Sequence, residues 1–203
     1  MSSNLDLVAN NLSPPARDAL AEFLVRVKKV EKKIADTALS ILVWGPGNRS
    51  SDQLLYQNRR RIRDELRRQG NAAIFSEEIA NSTKQELPVT LSELAQAISA
   101  DFIVVLMASW GALSEIEEYG HDPEVASKML ILLPEQSRGG FTEQVLLEKG
   151  FQGVVCFNRS ELENYSVVDK VIEKLPALKC AKFMYQRQKR RWEGESRTET
   201  YGF

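Results

Sequence analysis

Five short runs of mostly aliphatic residues punctuate the chain, and segments with helical spacing separate them. The runs are LSILVWGPG (39–47), AAIFSEE (72–78), FIVVLMAS (102–109), KMLILLP (128–134) and GVVCF (153–157). A strand that is apolar throughout, rather than on alternate residues, is one buried on both faces, as a parallel strand under two layers of helix is. The segments between them supply the crossovers. Residues 52 to 69 carry Leu55, Ile62 and Leu66 inward, SELAQAISA (92–100) opens on Ser92 as a cap, LSEIEEYG follows the third run and TEQVLLEKG the fourth. Alternation of this kind builds right-handed βαβ units on one sheet.

The expected fold class is therefore α/β: a flavodoxin-like, open, five-stranded, mainly parallel sheet with helices on both faces. The order 2-1-3-4-5 suits five strands better than the longer dinucleotide-binding order. It makes residues 41 to 44 and 102 to 107 adjacent central strands. Two helices flank this core. Residues 14 to 36 begin at Ser13 and two prolines, and repeat Leu20, Phe23, Leu24, Val27, Val30 and Ile34 at helical spacing, with Arg26, Lys28, Lys29, Lys32 and Lys33 mostly opposite. Such a stripe either packs on its own domain or serves an oligomer or partner. The C-terminal helix runs from Val167 to Trp192, continuous or broken at Pro176, and a polar tail follows. The chain is thus read as an accessory helix (1–36), a nucleotide-binding α/β domain (37–178) and a basic helix end with tail (179–203).

Composition excludes several chemistries. With 27 basic and 28 acidic residues the net charge is −1, so the total favours neither nucleic acid nor membrane as partner. Two cysteines, Cys156 and Cys180, are too few for a disulfide framework or a four-cysteine zinc site, and Cys156 in GVVCF is expected to be a small buried hydrophobe. The single histidine, His121, argues against histidine triads and multi-histidine metal sites. MSSNLDLVANN lacks the pattern of a secretory leader, and no apolar run reaches membrane-spanning length, so a cytoplasmic location is expected. Chemistry would rest on carboxylates, hydroxyls and backbone groups, with no cofactor.

Ligands of open parallel sheets bind beyond the carboxyl ends of the strands, where strand order reverses. That point lies between the first and third strands. Its loops are Gly45-Pro46-Gly47-Asn48 and Ser109-Trp110-Gly111-Ala112, both glycine-bearing, and the second leads into a helix N-terminus. Gly45, Pro46, Gly47, Ser109, Trp110 and Gly111 are the candidate substrate-binding residues. Trp110 either stacks on a base or closes the pocket against the sheet. Glu115 is the candidate catalytic carboxylate; the competing explanation is a glutamate that complements the helix dipole. Glu118, three residues on, shares its side of the helix, whereas Glu117 is rotated roughly 200° away. Glu77 and Glu78, after the second strand, either contact a ribose or belong to a solvated turn. Arg59 to Arg63 read as an exposed helix face, Asp101 as a cap or turn, and Ser137-Arg138-Gly139-Gly140 as a phosphate-holding loop or lid.

Gly111 to Glu115, G-A-L-S-E, resembles the Gly-Thr-x-x-Glu pattern of nucleoside 2-deoxyribosyltransferases and of the lysine-decarboxylase-like (SLOG) nucleotide-binding family. Ser109-Trp110 ahead of a glutamate is similar to the Ser-x-Trp-x-x-x-Glu region of Toll/interleukin-1 receptor (TIR) domains, and Trp44-Gly45-Pro46-Gly47 resembles the Ala-Gly-Pro loop of the deoxyribosyltransferases. The resemblance covers about residues 39 to 175. Ala112 stands where threonine is usual, and Trp110 is one place further from the glutamate than in TIR domains. The resemblance implies a nucleotide or nucleoside N-glycosidase or glycosyltransferase, with NAD as a possible substrate, of a kind often found as bacterial defence effectors. In it Glu115 attacks the anomeric carbon or stabilises an oxocarbenium ion. The alternative is a non-catalytic nucleotide sensor that signals to a partner. The N-terminal helix is a candidate surface for a homo-oligomer or partner protein, beside the reading in which it packs on its own domain.

Overall fold

The computed structural model describes residues 12–48, 52–82, 88–107, 116, 118–148, 151 and 153–198. The chain divides into two compact units, Ala38–Leu178 and a second made of Met1–Thr37 with Lys179–Phe203.

The first unit contains one five-stranded sheet: β1 (Ser40–Trp44), β2 (Ala72–Ile74), β3 (Phe102–Leu106), β4 (Met129–Pro134) and β5 (Val154–Phe157). The order is β2-β1-β3-β4-β5, and every pairing is parallel. β1 and β3 are neighbours, with Trp44 opposite Val105. This is the expected flavodoxin-like arrangement. Alternation of side chains divides the two cores. Ile41, Val43, Val104 and Leu132 face one layer with Leu55, Ile62 and Leu66 of α2 (Gln53–Arg68). Leu42, Trp44, Ile103 and Ile131 face the other with Ala97 of α4 (Val89–Ser99), Ile116 and Tyr119.

Several boundaries differ from the sequence reading, each for a local reason. The second strand ends at Ile74 rather than at residue 78, because Ser76-Glu77-Glu78 opens a helix, α3 (Ser76–Ser82). There the Glu78 carboxylate accepts from the Phe75 amide at 2.9 Å and caps the new helix. α4 begins at Val89, behind Pro88 in the cap position, so Ser92 lies inside the helix and is not its cap. Two short helices precede the later strands: α5 (Pro123–Ser127), capped by Asp122, and α6 (Phe141–Glu148). A further short helix, α7 (Arg159–Glu163), is set by a capping box between Asn158 and Glu161. α8 (Val167–Ile172) and α9 (Leu175–Thr198) are separate, and Pro176 falls in the first turn of α9, where a missing N–H is harmless.

Gly153 lies where β5 approaches β4. Its carbonyl accepts from the Ile131 amide at 2.7 Å, and an added Cβ would strike the Met129 carbonyl. Gly153→Ala is expected to cost ~1–3 kcal/mol by forcing the edge strand away from its neighbour, read as a fall in urea midpoint at unchanged slope. Asp101 ties the amino ends of the central strands, its carboxylate accepting from the Ser40 amide at 2.7 Å.

In the second unit, α1 (Pro14–Ala35) has no buried residue. Leu20, Leu24, Val27 and Ile34 are half-buried, whereas Phe23 is 54% exposed and Val30 is also exposed. The Lys179 ammonium donates to the Ala35 carbonyl at 2.8 Å, satisfying one of the free carbonyls at the end of α1. Among the described residues no helix is long and apolar enough to cross a membrane.

Candidate functional site

At the carboxyl end of β1 the chain turns sharply through Gly45. Its φ of +146° is one that residues with a side chain rarely adopt. An added Cβ would sit 3.0 Å from the Leu106 carbonyl and 3.1 Å from Leu106 Cβ, so the β1 loop lies against the last residue of β3. The ends of the two central strands therefore meet where strand order reverses. Among the described residues nothing lies within 4 Å of a Cβ built on Gly47. Beyond it, Asn48 accepts from the Gln53 side chain at 3.2 Å, and Asp52 caps α2 by accepting from the Leu55 amide at 3.2 Å. The N-terminus of α2 is thus already served by the chain's own carboxylate.

Beneath the loop is a buried cation. Arg59, 2% exposed, donates from Nε and Nη2 to the Val43 carbonyl at 3.1 and 2.9 Å, and from Nη1 to the Pro46 carbonyl at 3.4 Å. It also makes a two-pronged pair with Glu77, at 2.7 and 2.8 Å. Its guanidinium lies 4.1 Å from the centre of the Phe75 ring, and that of Arg63 lies 4.4 Å from the same ring. Arg63 and Arg67 in turn hold Glu78, at 2.8 and 3.2 Å. Two arginine–glutamate pairs about one phenylalanine thus fasten α2 to the end of β2.

This corrects two expectations. Arg59 to Arg63 do not form one exposed face: Arg60 and Arg61 are exposed, but Arg59 is buried and Arg63 is largely covered. Helical spacing explains it, since Arg59 falls between Leu55 and Ile62 on the inward stripe. Glu77 and Glu78 do not belong to a solvated turn; both are helical and ion-paired. Burial is the largest single influence on the Glu77 carboxyl and pushes it up. The Arg59 hydrogen bonds, its own backbone amide and the Arg59 and Arg63 charges outweigh burial and hold it below the ordinary value. Glu77 stays ionised, with its side chain 49% exposed beside the loop that Arg59 also holds.

On the opposite face of the sheet, Tyr119, four positions after Glu115 in sequence, stacks obliquely on Trp44 at 5.5 Å between ring centres. Its hydroxyl donates to Glu93 at 2.8 Å. Glu118 is exposed and borders an open depression with Leu91, Leu94 and His121, apart from the Arg59–Glu77 pair. Of the other candidates, Gly45, Pro46 and Gly47 come together at the β1 end. Ser109, Trp110, Gly111, Glu115 and Glu117 lie outside the described residues.

Elsewhere, Arg138 pairs with Glu135 at 2.9 Å, and the Gly139 amide donates to Glu143, so that loop is internally tied. Cys156 is half-buried rather than fully buried. Its thiol is pushed up first by desolvation and then by Glu143 and Glu135, which disfavours a reactive thiolate. A concavity of about 560 Å³ lies at the amino ends of β3 and β4, bordered by Phe102, Met129, Gly153 and Leu178. That is the end of the sheet opposite Gly45.

No protein-family model matches the chain, and no curated protein matches it significantly.

Proposed function

We propose that the carboxyl edge of β1 and β3 binds a nucleotide or nucleoside, and that the protein cleaves or transfers its N-glycosidic bond. The observation supporting this is the packing of Gly45 against Leu106, which joins the ends of the two central strands at the point of strand-order reversal. Glu115 supplies the anion opposing positive charge at the anomeric carbon, as nucleophile or as stabiliser. Such a carboxylate needs no metal. Glu77, fixed in orientation by Arg59, is available to accept from a sugar hydroxyl. NAD is the leading substrate, and a cytoplasmic defence role accords with this chemistry.

The test uses the purified full chain with NAD, deoxynucleosides and nucleoside monophosphates, read for released base by chromatography. Release of base from one class supports the reading. Binding without release favours a second reading, a nucleotide sensor, for which the half-covered stripe of α1 is a surface available to a partner. Absence of both binding and release would sink both.

The same stripe is proposed to mediate self-association. Deleting residues 14 to 36 is expected to lower the solution mass to that of a monomer. An unchanged mass with lost solubility would show instead that the helix packs only within its own chain.

A further inference from the structure

The net charge of −1 conceals two opposed parts. The unit Met1–Thr37 with Lys179–Phe203 holds 13 Lys and Arg against 8 Asp and Glu, a net of +5. Ala38–Leu178 holds 14 against 20, a net of −6. The positive charge is further concentrated in α9. From Lys179 to Trp192 there are six basic residues (179, 182, 187, 189, 190 and 191) and no acidic one. At a helical rise of ~1.5 Å per residue this is a cation about every 3–4 Å along ~20 Å of helix. Of these, Lys179 is buried on the Ala35 carbonyl and Lys182 is half-buried, whereas Arg187, Lys189 and Arg190 are exposed.

Among these cations stand two large exposed rings. Tyr185 is 67% exposed and Trp192 is 74% exposed. They are seven residues apart on one side of the helix, with Lys189 between them at the i+4 position from Tyr185. A tryptophan so open to water on a regular helix leaves apolar area uncovered, and such patches mark binding surfaces. Chemistry narrows the occupant. A second α9 would bring the same six cations and be repelled. An amphipathic helix lying in a membrane interface needs a broad apolar face, yet from Lys179 to the last residue the sequence has no Leu, Ile or Val. Rings interleaved with cations match bases and phosphates.

We infer that the exposed stretch of α9, Tyr185–Trp192, binds single-stranded nucleic acid, with Tyr185 and Trp192 stacked on unpaired bases on one side of the helix and Arg187 and Arg190, roughly 140° to 200° round from Tyr185, holding phosphates of the strand where it passes round the helix. This surface lies within the helical unit and does not depend on the nucleotide cleft.

The test is fluorescence anisotropy of a labelled, mixed-sequence single-stranded oligonucleotide, as RNA and as DNA, with the full chain between about 50 and about 200 mM salt. Binding is expected to weaken with salt at a slope of about −0.7 per neutralised phosphate, and Arg187→Gln with Arg190→Gln to reduce the slope by about 1.4. Tyr185→Ala with Trp192→Ala is expected to weaken binding at least ~10-fold, and Tyr185→Phe with Trp192→Phe to retain it, since stacking needs only the ring. All four side chains are exposed, so unchanged thermal melting separates a binding defect from unfolding. The inference is overturned if no salt-dependent binding occurs, or if the double alanine variant binds as wild type. Tighter binding to the matching duplex also overturns it, as does binding to vesicles of phosphatidylserine and phosphatidylcholine that the oligonucleotide cannot displace.

Discussion

Arg59→Met is expected to destabilise the α/β unit by about 3 kcal/mol, at the lower end of what removing one partner from a buried ion pair costs. The lower end is appropriate because Glu77, left behind, is about half exposed and can regain water. The Val43 carbonyl has no such recourse beside the buried guanidinium, where it accepts two of the arginine's hydrogen bonds. Glu77→Gln is expected to cost less, since Arg59 keeps Val43 and Pro46. Combining the two changes is expected to cost less than their sum, the mark of a direct pair. Urea denaturation of the four proteins measures this, and an Arg59→Met variant within ~0.5 kcal/mol of wild type would show the pair to be incidental. Acid adds a second readout. The folded Glu77 carboxyl lies below its ordinary value of 4.5, so its contribution is present above that value and is lost as pH falls through the folded one. Arg59→Met is expected to flatten this acid limb.

The fold was legible because parallel strands buried on both faces leave little else that an apolar run such as FIVVL or MLILL can be. The order β2-β1-β3-β4-β5 is the doubly-wound order that a count of five strands suits better than the longer dinucleotide-binding one. What escaped were features set by single side chains. Glu78 ends β2 early by capping the Phe75 amide, a contact that no periodicity announces. Arg59 was hidden by composition: five arginines in nine residues read as a wet face. Yet its spacing, four after Leu55 and three before Ile62, was a signal of burial, and Asn58 beside it is also buried, donating to the Leu162 carbonyl at 3.0 Å. The candidate site was legible in part. Gly45, Pro46 and Gly47 are readable as a turn from loop chemistry after a strand, and at Gly45 the positive φ against Leu106 requires glycine. Glu77 is a candidate by its position after β2, but its partner is not legible there, since sequence spacing does not bring residues 59 and 77 together. The charge of the helical unit was missed for a simpler reason: summed over the whole chain, opposite charges cancel.

Glu115→Gln is expected to leave the fold intact and to lower base release by ~10²- to 10³-fold if the carboxylate is an electrostatic stabiliser, and by more if it is the nucleophile. Glutamine keeps shape and hydrogen-bonding reach but carries no charge to oppose an oxocarbenium ion. The two roles also separate kinetically. A nucleophile yields a covalent glycosyl intermediate that can be trapped on denaturation, while a stabiliser yields none. Glu117→Gln serves as control, with an expected change in stability under ~0.5 kcal/mol and no change in rate. Glu118→Gln tests the register of the motif. Glu118 is exposed at the depression with Leu91 and His121, and the Tyr119 ring beside it is fixed by Trp44 and Glu93. Its loss is therefore expected to affect rate less than loss of Glu115. If the order is reversed, with Glu115→Gln fully active and Glu118→Gln inactive, the chemistry belongs to the depression on the α4 side of the sheet. The pairing of Gly45 with Leu106 would then be only the packing of two strand ends.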